Sequence, residues 1–351
     1  MVKRLAFAVP GDLDTPTGGY AYDRRIIDEL RKLGWNVDVI DLGNEFPRPS
    51  SQARSAAIKT LLAIPHGMPL VIDGLAFGVM SFDARRLALR RKLVALVHHP
   101  LALEPGLTRA EAATFQMLER TALSAPGRVV TTSQMTARVL MSHYRVPERR
   151  LIVAPPGNDK APAARGSGGN GPLALLSVGA LVPRKGYDVL IAALATLREL
   201  PWRLTIAGDR TRDPATAHSL EADIARFGLV QRVTVAGAVS DDRLDALYDG
   251  ADLFVLPSRY EGYGMAFAAA LARGLPVIGS DAGAIPEAVP PDAGILVPPD
   301  NVPALAAALY RLITDPRERG RLAVAARAAA AQLPTWTESA VLFSRALEKA
   351  R

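Results

Sequence analysis

Ala251-Asp-Leu-Phe-Val-Leu-Pro257-Ser258-Arg-Tyr-Glu261 runs directly into Gly262-Tyr-Gly-Met-Ala-Phe-Ala-Ala-Ala-Leu-Ala-Arg-Gly274. A short apolar strand delivers an acid, two glycines follow, and an Ala-rich helical stretch without an acid of its own comes next. A glycine-lined helix start offers backbone N–H groups and the positive end of the helix dipole to a phosphate. A carboxylate beside it accepts hydrogen bonds from hydroxyls, so the two together suit a sugar phosphate. The plainer reading is an acid that only complements the helix dipole. Either way the junction is a strand-to-helix loop of a parallel sheet, where open α/β folds place their ligands.

The same alternation extends in both directions. Strands are predicted at residues 4–9, 37–40, 70–72, 93–97, 128–131 and 151–153, then at 173–178, 203–207, 233–235, 253–255 and 276–278. Helical periodicity covers 20–33, 109–122 and 136–144, then 186–200, 215–227, 241–248 and 264–272. Strands alternating with helices imply βαβ units, and 351 residues exceed what one core usually holds. The expectation is an α/β chain of two Rossmann-like, doubly wound domains facing across a cleft. Their limits are 1–160 and 173–335, with a Gly/Pro-rich linker at 161–172 and a final helix at 336–351. The linker contains Gly166-Ser-Gly168-Gly-Asn-Gly171, a literal dinucleotide fingerprint. It is discarded because Pro172 and a strand follow it, not a helix.

Composition narrows the chemistry. The chain has no Cys, which excludes disulfides, thiolate metal sites and a cysteine nucleophile. The N-terminal apolar run is too short for a signal sequence, and no stretch suits a membrane span, so a cytoplasmic protein is expected. The net charge of +7 arises from 42 basic and 35 acidic residues. Much of the local excess lies in Arg85-Arg86, Arg90-Arg91-Lys92 and residues 145–150. These runs lack interleaved aromatics, so nucleic acid is not expected as a partner. A solvated basic face is the plain reading, and peripheral contact with the acidic inner face of a membrane is the other.

Three further loops carry candidate chemistry. Residues 11–20 end in Gly18-Gly19 before a helix, which fits either a close backbone approach to an anion or a simple tight turn. His98-His99 closes a buried strand. Adjacent residues point to opposite sides and no acid sits at ligand spacing, so no metal is expected; substrate contact and a structural role stay open. Gly179-Ala-Leu-Val-Pro-Arg184-Lys185-Gly186 places two cations ahead of a helix, a ready pyrophosphate site or two solvated loop charges.

Taken together, these loops resemble the retaining glycosyltransferases of the GT-B fold, in particular family four, along almost the whole chain. The carrying residues are Gly18-Gly19, Gly179 to Gly186, Asp241 to Ser258, Glu261 to Gly274 and Gly283 to Glu287. The resemblance implies transfer of a sugar from a nucleotide-sugar donor, such as a UDP- or GDP-sugar, with retention and without metal or further cofactor. Lys185 and Arg184 would neutralise the donor diphosphate, with backbone at Gly264 and Met265 beside Tyr263 capping the same phosphates. Glu261 would accept from donor-sugar hydroxyls, and Gly237 and Val239 would hold the base through their backbone. His98 would face the reacting sugar, with Gly18 and Gly19 close to the diphosphate. The terminal helix would pack back on the first domain.

Two positions depart from the family. Ala180 stands where an Arg is usual, and Ala269 stands where the second Glu of the acid pair should hold the donor ribose. Losing that acceptor costs about 1.5–3 kcal/mol, roughly ten- to a hundredfold in affinity. An attenuated enzyme, a silent nucleotide-sugar-binding protein and an epimerase-like enzyme all follow as readings. The acceptor (glycan, lipid-linked or small molecule) is expected to be chosen by loops at 45–57 and 101–108.

Overall fold

The computed structural model describes residues 3–169 and 171–350. Contacts divide the chain into two units: Met1–Gly157 with Pro334–Arg351, and Asn158–Leu333. Among the described residues each unit carries one six-stranded sheet, and every strand pairing is parallel.

In unit 1 the strands are β1 (Lys3–Val9), β2 (Trp35–Asp41), β3 (Pro69–Asp73), β4 (Lys92–Val97), β5 (Arg128–Thr131) and β6 (Leu151–Val153), ordered β2-β1-β3-β4-β5-β6. The chain reverses its direction of travel between β1 and β3. Strands buried on both faces read as continuous apolar runs, and Leu5 to Val9 are all buried. Ala6, Ala8, Leu70, Ile72 and Phe77 build the core on one face. On the other, Phe7 stacks on Phe343 of helix Trp336–Lys349, with ring centroids 6.1 Å apart. That helix also takes Trp35 Nε1–H on Ser344 Oγ at 3.0 Å, and Trp336 packs 6.0 Å from Tyr22. Gly157 lies where any Cβ would come within 2.2 Å of Trp336 N, so the two pieces of unit 1 meet backbone to backbone.

Unit 2 comprises β7 (Leu173–Val178), β8 (Trp202–Ala207), β9 (Val233–Gly237), β10 (Leu253–Leu256), β11 (Val277–Ser280) and β12 (Gly294–Val297), ordered β12-β11-β10-β7-β8-β9. Here the reversal falls between β7 and β10. Trp202, Phe254 and Phe267 are among its largest fully buried side chains.

Some expectations need correction. Residues 45–57 are not an open loop: Ser50 Oγ accepts from Ala53 N and starts a helix, Ser51–Ala63. Helix 186–200 is shorter, Tyr187–Ala195, with a 3₁₀ turn at Pro183–Lys185 ahead of it. The expected linker at 161–172 is not free over residues 164–167. Ala164 N donates to Arg273 O, Gly166 N to Asp249 O and Ser167 N to Asp252 Oδ1, which lays this segment on unit 2. Strand β12 and helices Val302–Thr314 and Pro316–Ala330 had no sequence expectation.

Candidate active site

Unit 2 places its chemistry at the carboxyl ends of β7 and β10, the two strands that flank the reversal of strand order. Ligands in doubly wound sheets bind at that point. After β7 the chain turns through Gly179, and a Cβ there would fall 2.8 Å from Lys185 Cε, so the glycine leaves room for the lysine stem. After β10, Pro257 and the fully buried Ser258 lead to Glu261, which is 7% exposed. The two loops are joined backbone to backbone. Arg259 N donates to Arg184 O at 2.8 Å, and Gly186, at φ +69°, sits where a Cβ would lie 2.2 Å from Pro257 O.

Three donors converge on the Glu261 carboxylate. Lys185 Nζ and Ser258 Oγ each lie 2.7 Å from Oε1, and Arg184 Nη1 lies 3.0 Å from Oε2. Burial would raise this carboxyl, but the Lys185 and Arg184 charges outweigh it and hold it near 2. A carboxylate offers about four lone-pair sites, so Oε2 keeps capacity for a hydroxyl donor, while the two cations beside it suit a phosphate.

The remaining predicted residues of unit 2 take definite places. Gly264, at φ +102°, opens helix Met265–Ala272, with Met265 half-buried as its first residue. Phe267 anchors the helix against Phe254, ring centroids 5.4 Å apart. Tyr263 is largely buried, its phenol pushed up to about 12 by burial and then by Glu287. Gly237 ends β9 at φ +71° and its carbonyl accepts from Gly208 N, with half-buried Val239 two residues on. This turn lies at the sheet edge, beyond β8 from the Lys185 loop. Ala269 is half-buried against the core. Its carbonyl accepts from Arg273 Nη1 at 3.2 Å, and Arg273 pairs with Asp245 over the Tyr248 ring. The position carries a methyl group where the family's acid is expected.

Unit 1 builds a second cluster beside its own reversal point. Thr17 caps helix Gly18–Lys32, so Gly18 and Gly19 form its bare first turn, and a Cβ on Gly19 would lie 3.5 Å from the His98 ring. His98 follows β4. Its Nε2 lies 3.1 Å from Asp23 Oδ1, on that helix, and 3.3 Å from Asp73 Oδ2, the last residue of β3. His99 points away to Glu104 Oε2 at 2.9 Å, the alternation expected of adjacent residues. Asp23 and Asp73 were missed from sequence. Both left a signal: Asp23 interrupts the buried stripe Tyr22, Ile26, Ile27, Leu30, and Asp73, like Glu261, closes an apolar strand ahead of a glycine. The three side chains each bring one ligand atom within 4.8 Å of the others. A charge-assisted hydrogen bond from the ring accounts for both distances.

The family model for glycosyl transferases group 1 matches residues 162–329, and that for glycosyltransferase family 4 matches 69–161. The chain is 30% identical over 322 residues to the MMP alpha-(1->4)-mannosyltransferase of Mycolicibacterium hassiacum, covering 87% of this chain and 76% of that protein. The chain belongs to glycosyltransferase family 4. It is also 32% identical over 255 residues to the D-inositol 3-phosphate glycosyltransferase of Segniliparus rotundus, spanning 66% of this chain but only 57% of that relative. Among solved structures, sucrose-phosphate synthase from Thermosynechococcus elongatus superposes with a TM-score of 0.81 at 21% identity, over 97% of this chain and 98% of that one. HepE of Anabaena in complex with UDP-glucose gives 0.79 at 20% identity, over 98% and 99%. These likenesses show the GT-B fold of two Rossmann-like domains. Among the described residues, no helix is long and apolar enough to cross a membrane.

Proposed function

We propose that this family 4 glycosyltransferase moves a sugar from a nucleotide-sugar donor, a UDP- or GDP-sugar, to a hydroxyl acceptor with retention at the anomeric carbon. The observation that carries the reading is the Arg184–Lys185–Glu261 cluster at the strand reversal of unit 2. Lys185 and Arg184 take the donor diphosphate, joined by the backbone N–H groups that open helix Met265–Ala272. Glu261 then accepts from sugar hydroxyls through Oε2, and the turn at Gly237 and Val239 takes the base. Two cations and a helix dipole supply the charge that a divalent ion would otherwise bring, which makes the reaction metal-independent. The acceptor falls to unit 1, beside His98. The departing phosphate takes the acceptor's proton, so catalysis is positioning and electrostatic stabilisation of a charged, oxocarbenium-like state. The bound UDP-glucose of HepE and the glycosyltransferase names of the relatives support a donor of this class.

Ala269 and Ala180 favour a second reading, a chain that binds the donor and turns it over poorly. A donor panel followed by nucleotide release, run on the wild type and on Ala269→Glu, separates the two. Release from no donor by either chain would sink the transferase reading.

Peripheral membrane contact belongs to the same proposal and falls to one face of unit 1. Phe82, Arg85, Arg86 and Leu89 recur at helical spacing on the outward side of helix Asp83–Ala88 and its caps, with Ala84 and Leu87 buried opposite. Phe82 is 81% and Leu89 88% exposed. Exposed Arg90 and Lys92 follow, and Arg54, Lys59 and Arg86 line an adjoining groove of about 610 Å³ whose acid, Asp83, is paired with Arg54. Apolar tips among cations suit the interface of an acidic bilayer.

A further inference from the structure

We propose that Asp23 and Asp73 are positioning residues that clamp His98 between two buried carboxylates, so that its ring serves unit 1 as a fixed imidazolium hydrogen-bond donor and not as a general base. The ionic state of this clamp stands on unit 1 alone, and its meaning for sugar transfer rests on the reading above.

The geometry leaves the ring little freedom. Nε2 faces both acids, at 3.1 and 3.3 Å, and Asp23 and Asp73 are 0% and 1% exposed. Tyr22 meets the ring edge-on, centroids 5.3 Å apart at 86°, while its hydroxyl donates to Ala154 O at 2.8 Å and so is spent elsewhere. Thr132 Oγ1 donates to the His98 carbonyl at 3.1 Å, which fixes the backbone. Asp73 Oδ1 is held by Leu75 N at 2.8 Å, leaving Oδ2 for the histidine.

Two buried carboxylates side by side need either a shared proton or a cation between them. The groups that face His98 are Tyr22 and Asp23 from helix Gly18–Lys32 and Asp73 from the end of β3, with Arg24 acting on Asp23 from the same helix. Among them, only the ring can sit between the acids as that cation. Asp23 Oδ2 is buried and has no partner among the described residues, so this carboxylate depends on its single bond to the ring. Burial opposes charge on His98, but Asp23 and Asp73 outweigh it and hold the imidazole above its ordinary 6.5, while burial raises Asp23. The ring held in this way is charged at neutral pH. An imidazolium carries a proton on Nδ1 as well, so toward a substrate oxygen it can only donate.

The test labels the five histidines with ¹⁵N and follows the ring nitrogens from pH 5 to 9.5, with His98→Gln assigning the signals. The expected wild-type pattern is imidazolium on both His98 nitrogens through pH 9. In Asp23→Asn, with fold checked by circular dichroism, the midpoint should fall by more than one pH unit, over tenfold in proton affinity. Asp73→Asn should lower it less. A neutral wild-type His98 at pH 7.5 overturns the clamp, as does an unmoved midpoint in folded Asp23→Asn. Broadening of the His98 signals by stoichiometric Mn²⁺ would make the three side chains ligands and overturn it too. If Asp23→Asn does not fold, the wild-type titration alone decides. Failure of every donor to turn over would sink the transfer reading and leave these outcomes untouched.

Discussion

Lys185 Nζ lies 2.7 Å from Glu261 Oε1 across 76 positions of sequence, each residue delivered by a strand on one side of the same reversal in unit 2. Removing the lysine leaves Glu261 buried with Arg184 and Ser258 as donors. Loss of one partner of a buried pair costs about 3–5 kcal/mol when nothing else compensates. With Arg184 still in place, Lys185→Ala should cost less than that, lowering Tm by several degrees. It should also abolish the thermal stabilisation given by UDP or GDP. A variant that keeps the full nucleotide-dependent shift would remove Lys185 from the donor site.

The same cluster has an acid limit. Glu261 is held near 2, below its ordinary 4.5, so its contribution to stability is complete above 4.5 and disappears as pH falls from there towards 2. Glu261→Gln should lower Tm at pH 7 and narrow its deficit steadily below pH 4.5. A deficit that stays constant from pH 7 to pH 3 would show that the carboxylate gains nothing from its two cations.

Position 269 tests the departure from the family. Ala269 is half-buried on helix Met265–Ala272, two turns beyond the Glu261 loop. Restoring a charged acceptor for the donor ribose is worth about 1.5–3 kcal/mol, roughly ten- to a hundredfold in Kd. Ala269→Glu should tighten UDP or GDP binding by that factor in titration calorimetry. Equal affinity in the two chains would mean that the ribose is held by another group.

How far such sites can be read from sequence depends on what the signal is local to. The strand–acid–glycine junction at Glu261 and the paired cations at Arg184-Lys185 announce themselves within a few residues. Their mutual contact does not, because it depends on β7 and β10 being neighbours across 76 positions. Asp73 carries the same strand-end signature as Glu261 but lacks its resemblance, and Asp23 hides as one polar residue on an apolar helical stripe. Helix Ser51–Ala63 escaped for a different reason: three of the four residues in its first turn are Ser51, Gln52 and Arg54, and Ala57, Ile58 and Leu61 are its buried residues. Segment 161–172 looked like a linker because Gly and Pro dominate it, while what fixes it is backbone N–H groups meeting Asp249 and Asp252.

The Phe82–Leu89 stripe predicts salt-sensitive binding to acidic vesicles. Each Arg near an acidic surface is worth about 1 kcal/mol, so Arg85→Ser with Arg86→Ser should weaken binding by about thirtyfold. Phe82→Ser with Leu89→Ser should weaken it with little change in salt dependence, since these residues contribute apolar burial. Co-sedimentation with phosphatidylglycerol-containing vesicles, against pure phosphatidylcholine, makes the measurement. Equal recovery of all three chains with acidic vesicles would move the contact to another face.

Glu119 sets an alkaline limit on unit 1. It is 1% exposed, its Oε2 accepts from Leu101 N at 3.1 Å, and burial pushes its carboxyl up to about 8 against that hydrogen bond and one from Tyr144. A folded value above the unfolded 4.5 means that the native state binds the extra proton. Its stabilisation is therefore complete below 4.5 and lost as pH rises through about 8. Glu119→Gln keeps an oxygen for Leu101 N and cannot ionise. At pH 4 and below the two chains should melt together, and by pH 8.5 the variant should melt several degrees higher. A Tm difference that does not change with pH would mean that Glu119 stays in one protonation state across the range. In that case the turn at Leu101–Leu103, which follows His98-His99, would owe nothing to its proton.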